Sequence, residues 1–394
     1  MANDLTIDQI STILNSVLEQ AIGTEAIKTV DTSSFTAVAT VALKCGYDTL
    51  LNAISQVLSR TIFSIRPYNR KFPTLEVTNQ QYGNHVRKLN ISDKPFENDQ
   101  RYPASGALVD GSSVDMFAVS KPNILQTNFY GQQVYQRHVT IFKDQLDVAF
   151  SSAEEFGRFI TMVMANASDI IEQAHESLAR MVIANFMGAK ITADTASTIH
   201  LLTEYNTLTG LETPLTNETL YQPENFRPFM QWVYSRVASL SSLMTERSTE
   251  FHINVTGKPV SRHTPYDMQR AYIYAPSMYQ TEAMALANTY NDKYLSMVPH
   301  ETVNFWQSIQ TPDQINVTAS YIDADGNLQK TTAVSKSNVF GVLFDREAMG
   351  YTVVNQWSST TPFNSAGGYS NIYWHFTDRY WNDLTENGII LLLD

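Results

Sequence analysis

The stretch SSAEEFGRFITMVMANASDIIEQAHESLARMVIANFM, Ser151 to Met187, decides how the chain is read. It has no proline and a single glycine, Gly157, near its start. Apolar residues at Phe156, Ile160, Val163, Ala167, Ile170, Ala174, Leu178 and Met181 recur in steps of three or four, which predicts one face of a helix. Ser152 with Glu155 fits a capping box at the start, and Gly188 is the expected stop. Helical throughout, the stretch would span roughly 55 Å, where an ordinary globular helix has about 11–12 residues. Asn166, Asp169, Glu172, Glu176 and Arg180 put a polar residue on every turn, so it is not a membrane span. The apolar stripe covers too few heptads, and too much of it is alanine, for a coiled coil. What remains is the spine of a flat, elongated subunit.

Composition fits that reading. The chain has 394 residues, 43% of them hydrophobic, enough for two or three domains. Its net charge of -12 argues against tight nucleic-acid binding, which depends on neutralising phosphates. Such a chain could still enclose DNA without adhering to it. One cysteine, Cys45, leaves no internal disulfide or cysteine-rich metal site and fits a reducing compartment. MANDLTIDQISTILNSVLEQAIG, residues 1–23, is no signal peptide, and its apolar stripe predicts a helix over 6–23. The expected protein is soluble and unsecreted.

Around the long helix the chain alternates in character. A second helix is expected over 46–60, followed by a strand from Thr61. RKLNISDKPFENDQR, Arg87 to Arg101, is dense in charge, and YPASGALVDGSSVD after it is full of turn formers. That excursion has little to bury on itself, so a partner is expected to hold it. QTNFYGQQVYQRHVTIF returns as strand into the long helix. Further on come a helix over 225–248, a strand over 270–276 leading into a helix, and a hairpin over 318–334 turning at Asp325-Gly326. SNIYWHFTDRYWNDLTENGIILLL closes the chain as two aromatic-rich strands joined through Asn382 to Gly388. The class is α+β, with helices and strands in clusters.

No catalytic constellation emerges. Phosphate-loop, dinucleotide, nucleophile-elbow and zinc-protease motifs are all absent, and the eight histidines never take a ligand spacing. DADGN, 323–327, opens like a calcium loop, but Val334 stands where the closing glutamate belongs. RPYNRK, 66–71, reads as a salt-bridging surface, and the aromatic run Tyr369, Tyr373, Trp374, Phe376, Tyr380, Trp381 as core or interface. No enzyme, cofactor or metal is expected.

Taken in order, the parts resemble the major capsid protein of tailed bacteriophages, with the Hong Kong 97-type fold. ISQVLSRTIFSIRPYNRKF (54–72) is similar to the point where the family's N-terminal arm enters its extended loop. FYGQQVYQRHVTIFKDQLDVAFSSAEEFGRFI (129–160) resembles the return strand, connector and spine-helix start in small short-tailed phages. PYDMQRAYIYAPSMYQTEAMALANTYN (265–291) and the closing strands resemble the central lobe and terminal pair.

The resemblance implies an N-terminal arm over 1–60 and an extended loop over 61–140. It further implies a peripheral domain with the spine helix over 141–200 and 345–394, and an axial domain over 201–344. It implies a virion protein, assembled in the host cytoplasm through pentamers and hexamers into an icosahedral shell around double-stranded DNA, with portal and scaffolding proteins as partners and no membrane. Arg87, Lys88, Asp93, Lys94, Glu97, Asp99 and Arg101 on the loop are then the expected contacts between subunits. The competing readings are an encapsulin-like nanocompartment shell and a carbohydrate-active enzyme using the aromatic strands. Particle size separates the enzyme from both shells.

Overall fold

The structure, a computed structural model, describes residues 7–22, 69–77, 85–94, 99–101, 108–117, 119–286 and 300–394, with residues 35, 38–40, 48–50 and 52–54 besides. Cys45, the strand expected from Thr61, most of the helix expected over 46–60, and Glu97 lie outside the described residues. The chain forms two compact units. The first gathers residues 1–84, 131–179 and 351–379; the second gathers 85–130, 180–350 and 380–394.

In the first unit, helix α1 (Ile7–Ile22) buries Ile10, Ile13, Leu14, Val17 and Leu18. These meet Phe156, Phe159, Ile160 and Val163 of the long helix in one core. Strand β3 (Gly131–Phe142) runs through a short helix, α2 (Lys143–Ala149), into the long helix, α3 (Ala153–Ala193). Ser152 caps α3 as its sequence suggests, its Oγ accepting from Glu155 N at 3.2 Å. Gly157 lets the two helices touch: a Cβ there would sit 2.7 Å from Ile10 Cδ1. A three-stranded sheet, in the order β12 (Met349–Thr360), β13 (Tyr369–Asn382), β3, completes this unit. Along β13, Ile372, Trp374, Phe376 and Asp378 are buried while the odd-numbered residues between them are half exposed, the two-residue period of a one-sided sheet.

Arg70 ties the 69–77 segment to this unit. It pairs with Glu76, lies 3.7 Å from Glu172, and donates to His175 Nδ1 at 2.9 Å. His175 Nε2 lies 3.5 Å from the buried Asp378 carboxylate, which accepts from Tyr135 at 2.7 Å. The described part of the 66–71 cluster is thus a salt-bridging element, as the sequence suggests.

The second unit is built on a five-stranded sheet in the order β4 (Thr198–His200), β14 (Gly388–Leu392), β11 (Val339–Asp345), β5 (Gln269–Tyr274), β6 (His300–Val303). Every residue of central strand β11 is buried. Its Gly341 allows close strand packing, since a Cβ would meet Tyr272 O at 2.7 Å. Helix α4 (Leu201–Thr209) and helix α5 (Pro223–Met244) pack with this sheet; Phe226, Phe229, Met230, Val233, Val237, Leu240 and Met244 of α5 are all buried. β5 runs directly into α6 (Ala275–Leu286).

Three expectations need correction. The long helix does not stop at Gly188 but continues to Ala193. Gly188 serves close packing instead: a Cβ there would meet Val317 Cγ1 at 2.6 Å. Met181, expected on the apolar stripe, is 41% exposed, whereas Val182, Ile183, Ala184, Phe186 and Met187 are buried, because the buried face of the helix shifts by one position beyond Leu178. The two closing strands do not pair with each other: β13 belongs to the three-stranded sheet and β14 to the five-stranded one. The 318–334 hairpin forms between β8 (Ser320–Ile322) and β9 (Leu328–Lys330), and β7 (Ile315–Val317) with β10 (Val334–Lys336) carries its ladder outward. Its loop spans 323–327, and Gly326 is the residue that takes the left-handed conformation, at φ 82°.

Candidate assembly interface

The charged excursion opens and closes on a two-stranded ribbon. Strand β1 (Val86–Ile91) pairs antiparallel with β2 (Ile124–Phe129), Val86 opposite Phe129 and Ile91 opposite Ile124. VRKLNI and ILQTNF alternate, so each strand has an inward and an outward face. Inward go Val86, Lys88 and Asn90 with Leu125, Thr127 and Phe129; outward go Arg87, Leu89 and Ile91 with Ile124 and Gln126.

The inward face lands on the turn between β13 and β14, residues 383–387. Lys88 Nζ lies 3.1 Å from Asp383 and pairs with Glu386, with Glu347 at 3.6 Å on the rim. Arg262 pairs with the same Glu386 at 2.9 Å, donates to Thr385 O at 3.0 Å and reaches Asn90 Oδ1 at 3.2 Å. The side chains of Asp383 and Glu386 are 2% and 5% exposed, so two cations face two buried carboxylates. Burial disfavours the Lys88 ammonium, but Asp383 and Glu386 outweigh it and hold its pKa above the ordinary lysine value. Asp93, just beyond β1, accepts from Ser261 N at 2.5 Å and from Arg247 at 2.6 Å. The Ser261 backbone N–H, helped by Arg247, holds its carboxyl below the usual range.

Six of the seven expected contact residues can therefore be placed. Lys88 and Asp93 direct their charge into their own chain. Lys94 donates to Ser120 Oγ at 2.8 Å, and Arg101 and Asp99 pair with each other at 2.6 Å on the exposed surface. Arg87 stands outward on β1. Glu97 lies outside the described residues.

What the charge pattern hid is apolar. Leu108, Val109, Val114, Met116, Phe117 and Val119 are all exposed in this chain, Met116, Phe117 and Val119 to 80% or more. Local turns hold them out: Ser112 N bonds back to Val109 O at 2.9 Å, Gly111 takes φ 86°, and Asp115 accepts from Phe117 N at 2.9 Å. Six exposed large apolar residues within twelve positions mark an interaction surface. Among the described residues no cluster of His, Cys, Asp and Glu could hold a metal ion, and no helix is long and apolar enough to cross a membrane.

This fold is that of phage capsid subunits. A chain of the capsid structure of Staphylococcus phage Andhra superposes with a TM-score of 0.55 at 10% identity, over 85% of this chain and 87% of that one. A chain of the structure of the head fiber and inner core protein gp22 of native bacteriophage P68 gives 0.54 at 10% identity, with the same coverage. No curated protein sequence is significantly similar. The chain belongs to the Phi29-like phage major capsid protein family, whose model matches residues 10–392. It is therefore a structural subunit of the virion shell and not an enzyme, and the carbohydrate-active reading falls away.

Proposed function

We propose that this capsid protein assembles through pentamers and hexamers into an icosahedral shell enclosing double-stranded DNA. The observation that carries the reading is the excursion: latched at its base by buried ion pairs, with Leu108, Val109, Val114, Met116, Phe117 and Val119 uncovered beyond it. A subunit that worked alone would gain nothing by keeping such a segment in water. The net charge of -12 suits a wall that contains DNA without gripping it.

In this reading residues 61–140 are the extended loop, 1–60 the arm, 141–200 and 345–394 the peripheral domain, and 201–344 the axial domain. Arg87, Lys94, Asp99 and Arg101 remain as polar contacts around the apolar tip, setting register more than affinity. Portal and scaffolding proteins are the partners that assembly of this kind calls for. Electron microscopy and light scattering of the purified chain, alone and with its phage's other structural proteins, test the proposal. Closed shells or ring-shaped capsomers are expected; a monomer at every concentration and in every mixture overturns it.

A further inference from the structure

A line of buried polar groups crosses the second unit, and it is one hydrogen short. His252 Nε2 donates to Val260 O at 2.7 Å, and its Nδ1 lies 3.0 Å from Asn387 Oδ1. Asn387 Nδ2 donates to Thr264 Oγ1 at 3.1 Å, and Thr264 Oγ1 donates to Asp345 Oδ2 at 2.8 Å. All four side chains are buried, those of Asn387 and Thr264 completely. Each of these contacts needs a hydrogen. A neutral imidazole supplies one, the Asn387 amide supplies one as it bridges its two neighbours, and the threonine hydroxyl supplies one. Changing the tautomer or turning the amide over moves the unfilled contact along the line without filling it. In the arrangement found, both ring nitrogens of His252 face oxygen acceptors, which suits a doubly protonated ring.

We propose that this line is a one-proton switch, in which His252 takes a second proton from solvent and the Asn387 side chain turns over with it. With the ring neutral, Asn387 Nδ2 donates to His252 Nδ1, and the Thr264 hydroxyl must choose between Asn387 Oδ1 and Asp345. With the ring charged, Nδ1–H donates to Asn387 Oδ1, Nδ2 donates to Thr264, and Thr264 donates to Asp345, so every contact is filled. The proton goes to the ring before Asp345 because imidazole ordinarily titrates near pH 6.5 and an aspartate near about 3.9. The charged groups around the ring are Lys190 of α3 with its partner Asp194, Arg262, Asp345 at the end of β11, and Asp383 and Glu386 in the 383–387 turn. Burial, with Lys190 and Arg262, sets the uptake on the acid side of the ordinary histidine range. The switch adjoins the ribbon latch at both ends. Asn387 follows Glu386, which pairs with Lys88 and Arg262, and Val260 precedes Ser261, whose N–H donates to Asp93.

The test follows the unassembled full-length chain by NMR as pH is lowered from about 8, with His252→Gln used to assign the His252 ring. Nδ1 of His252 should pass from bare to protonated while Nε2 stays protonated throughout. Overhauser contacts from the Asn387 side-chain N–H should shift from His252 to the Thr264 methyl with the same midpoint. An Asn387 amide that keeps one orientation across the His252 titration overturns the proposal, as does a ring that stays neutral until the chain unfolds. Thr264→Val gives an independent reading, since Thr264 makes no hydrogen bond to His252. Without the hydroxyl a neutral ring and the amide fill the remaining contacts, so the His252 midpoint should fall, by at least about threefold in proton concentration. A midpoint unchanged or raised means that His252 is a desolvated ring with no line behind it, and overturns the proposal. If Thr264→Val does not fold, the Overhauser contacts of the wild-type chain decide.

Discussion

At the base of the excursion Lys88, Asn90 and Asp93 are engaged within their own chain, by Asp383 and Glu386, by Arg262, and by Arg247 and the Ser261 backbone. At its tip Met116, Phe117 and Val119 stand in solvent, held outward by local turns. Charge lies inside where the sequence pattern suggests a surface, and apolar side chains lie outside where a core would be expected. The base fixes where the ribbon leaves the unit. The tip carries a driving force that becomes available only when another surface arrives. A charged tip would make each contact worth about 0–1 kcal/mol and sensitive to salt, whereas burying one large apolar side chain contributes about 1.5–3 kcal/mol.

The sharpest way to break this contrast is to cut the ribbon in two places. Replacing residues 87–119 with a Gly-Ser turn removes the tip together with Lys88, Asn90 and Asp93, and leaves Asp383 and Glu386 buried without Lys88. The unassembled chain should lose several kcal/mol, at least the 3–5 kcal/mol typical of a broken buried ion pair. Replacing only 99–119 removes the tip and spares the base, and its urea midpoint should match the wild type. Equal loss in both variants would show that the tip belongs to the subunit's own core.

A point substitution isolates the latch. Lys88→Met turns a balanced set of two cations and two buried carboxylates into one cation and two carboxylates. A loss of about 3 kcal/mol is expected in chemical denaturation. Adding Glu386→Gln to Lys88→Met should recover part of that loss, because it removes the excess negative charge. No recovery in the double variant would mean that Lys88 acts through packing of its stem alone.

The tip should behave in the opposite way. Changing Met116, Phe117 and Val119 together to serine should move subunit stability by no more than about 0.5 kcal/mol, as for surface positions generally. Shell formation should nonetheless be lost or need far higher protein concentration, read by light scattering. Normal assembly of this variant would assign the driving force elsewhere.

Much of this was legible in the sequence, and the parts that were not have a common cause. The spacing of Phe156, Ile160 and Val163, the Ser152 cap and the apolar face of 225–248 are local signals, and each is realised. Gly188 misleads because a glycine needed for close packing looks the same in sequence as one that ends a helix. The separation of β13 and β14 into different sheets depends on partners far along the chain, which no local pattern records. Lys88 and Arg87 look equivalent in a charged run. Strand alternation sends them to opposite faces, and only the distant turn at 383–387 gives the inward one its partners. The tip is legible in the sequence too: VDGSSVDMFAV holds five large apolar residues among its turn formers, although the run before it is dense in charge.

The smallest effect expected comes from pH, and it too should distinguish base from tip. His252 is buried beside the base, its Nε2 donating to Val260 O at 2.7 Å. Burial, reinforced by Lys190 and Arg262, holds its pKa below the ordinary value of 6.5. The unfolded chain therefore binds a proton more readily than the folded one between those two pKa values. Stability contributed by His252 is present above about pH 6.5 and is lost as pH falls through the folded value. Asp93 adds a second loss lower down, since its folded pKa lies below 3.8: its contribution holds above that value and disappears as pH drops through the folded one. Hydrogen exchange corrected for the intrinsic rate should then show protection of Val86–Asp93 declining as pH falls from 6.5, while residues 108–117 show no corresponding change. His252→Gln, neutral throughout, should flatten the first decline and leave the lower one. If the first decline persists in that variant, another group at the base is titrating and His252 is only a packed ring.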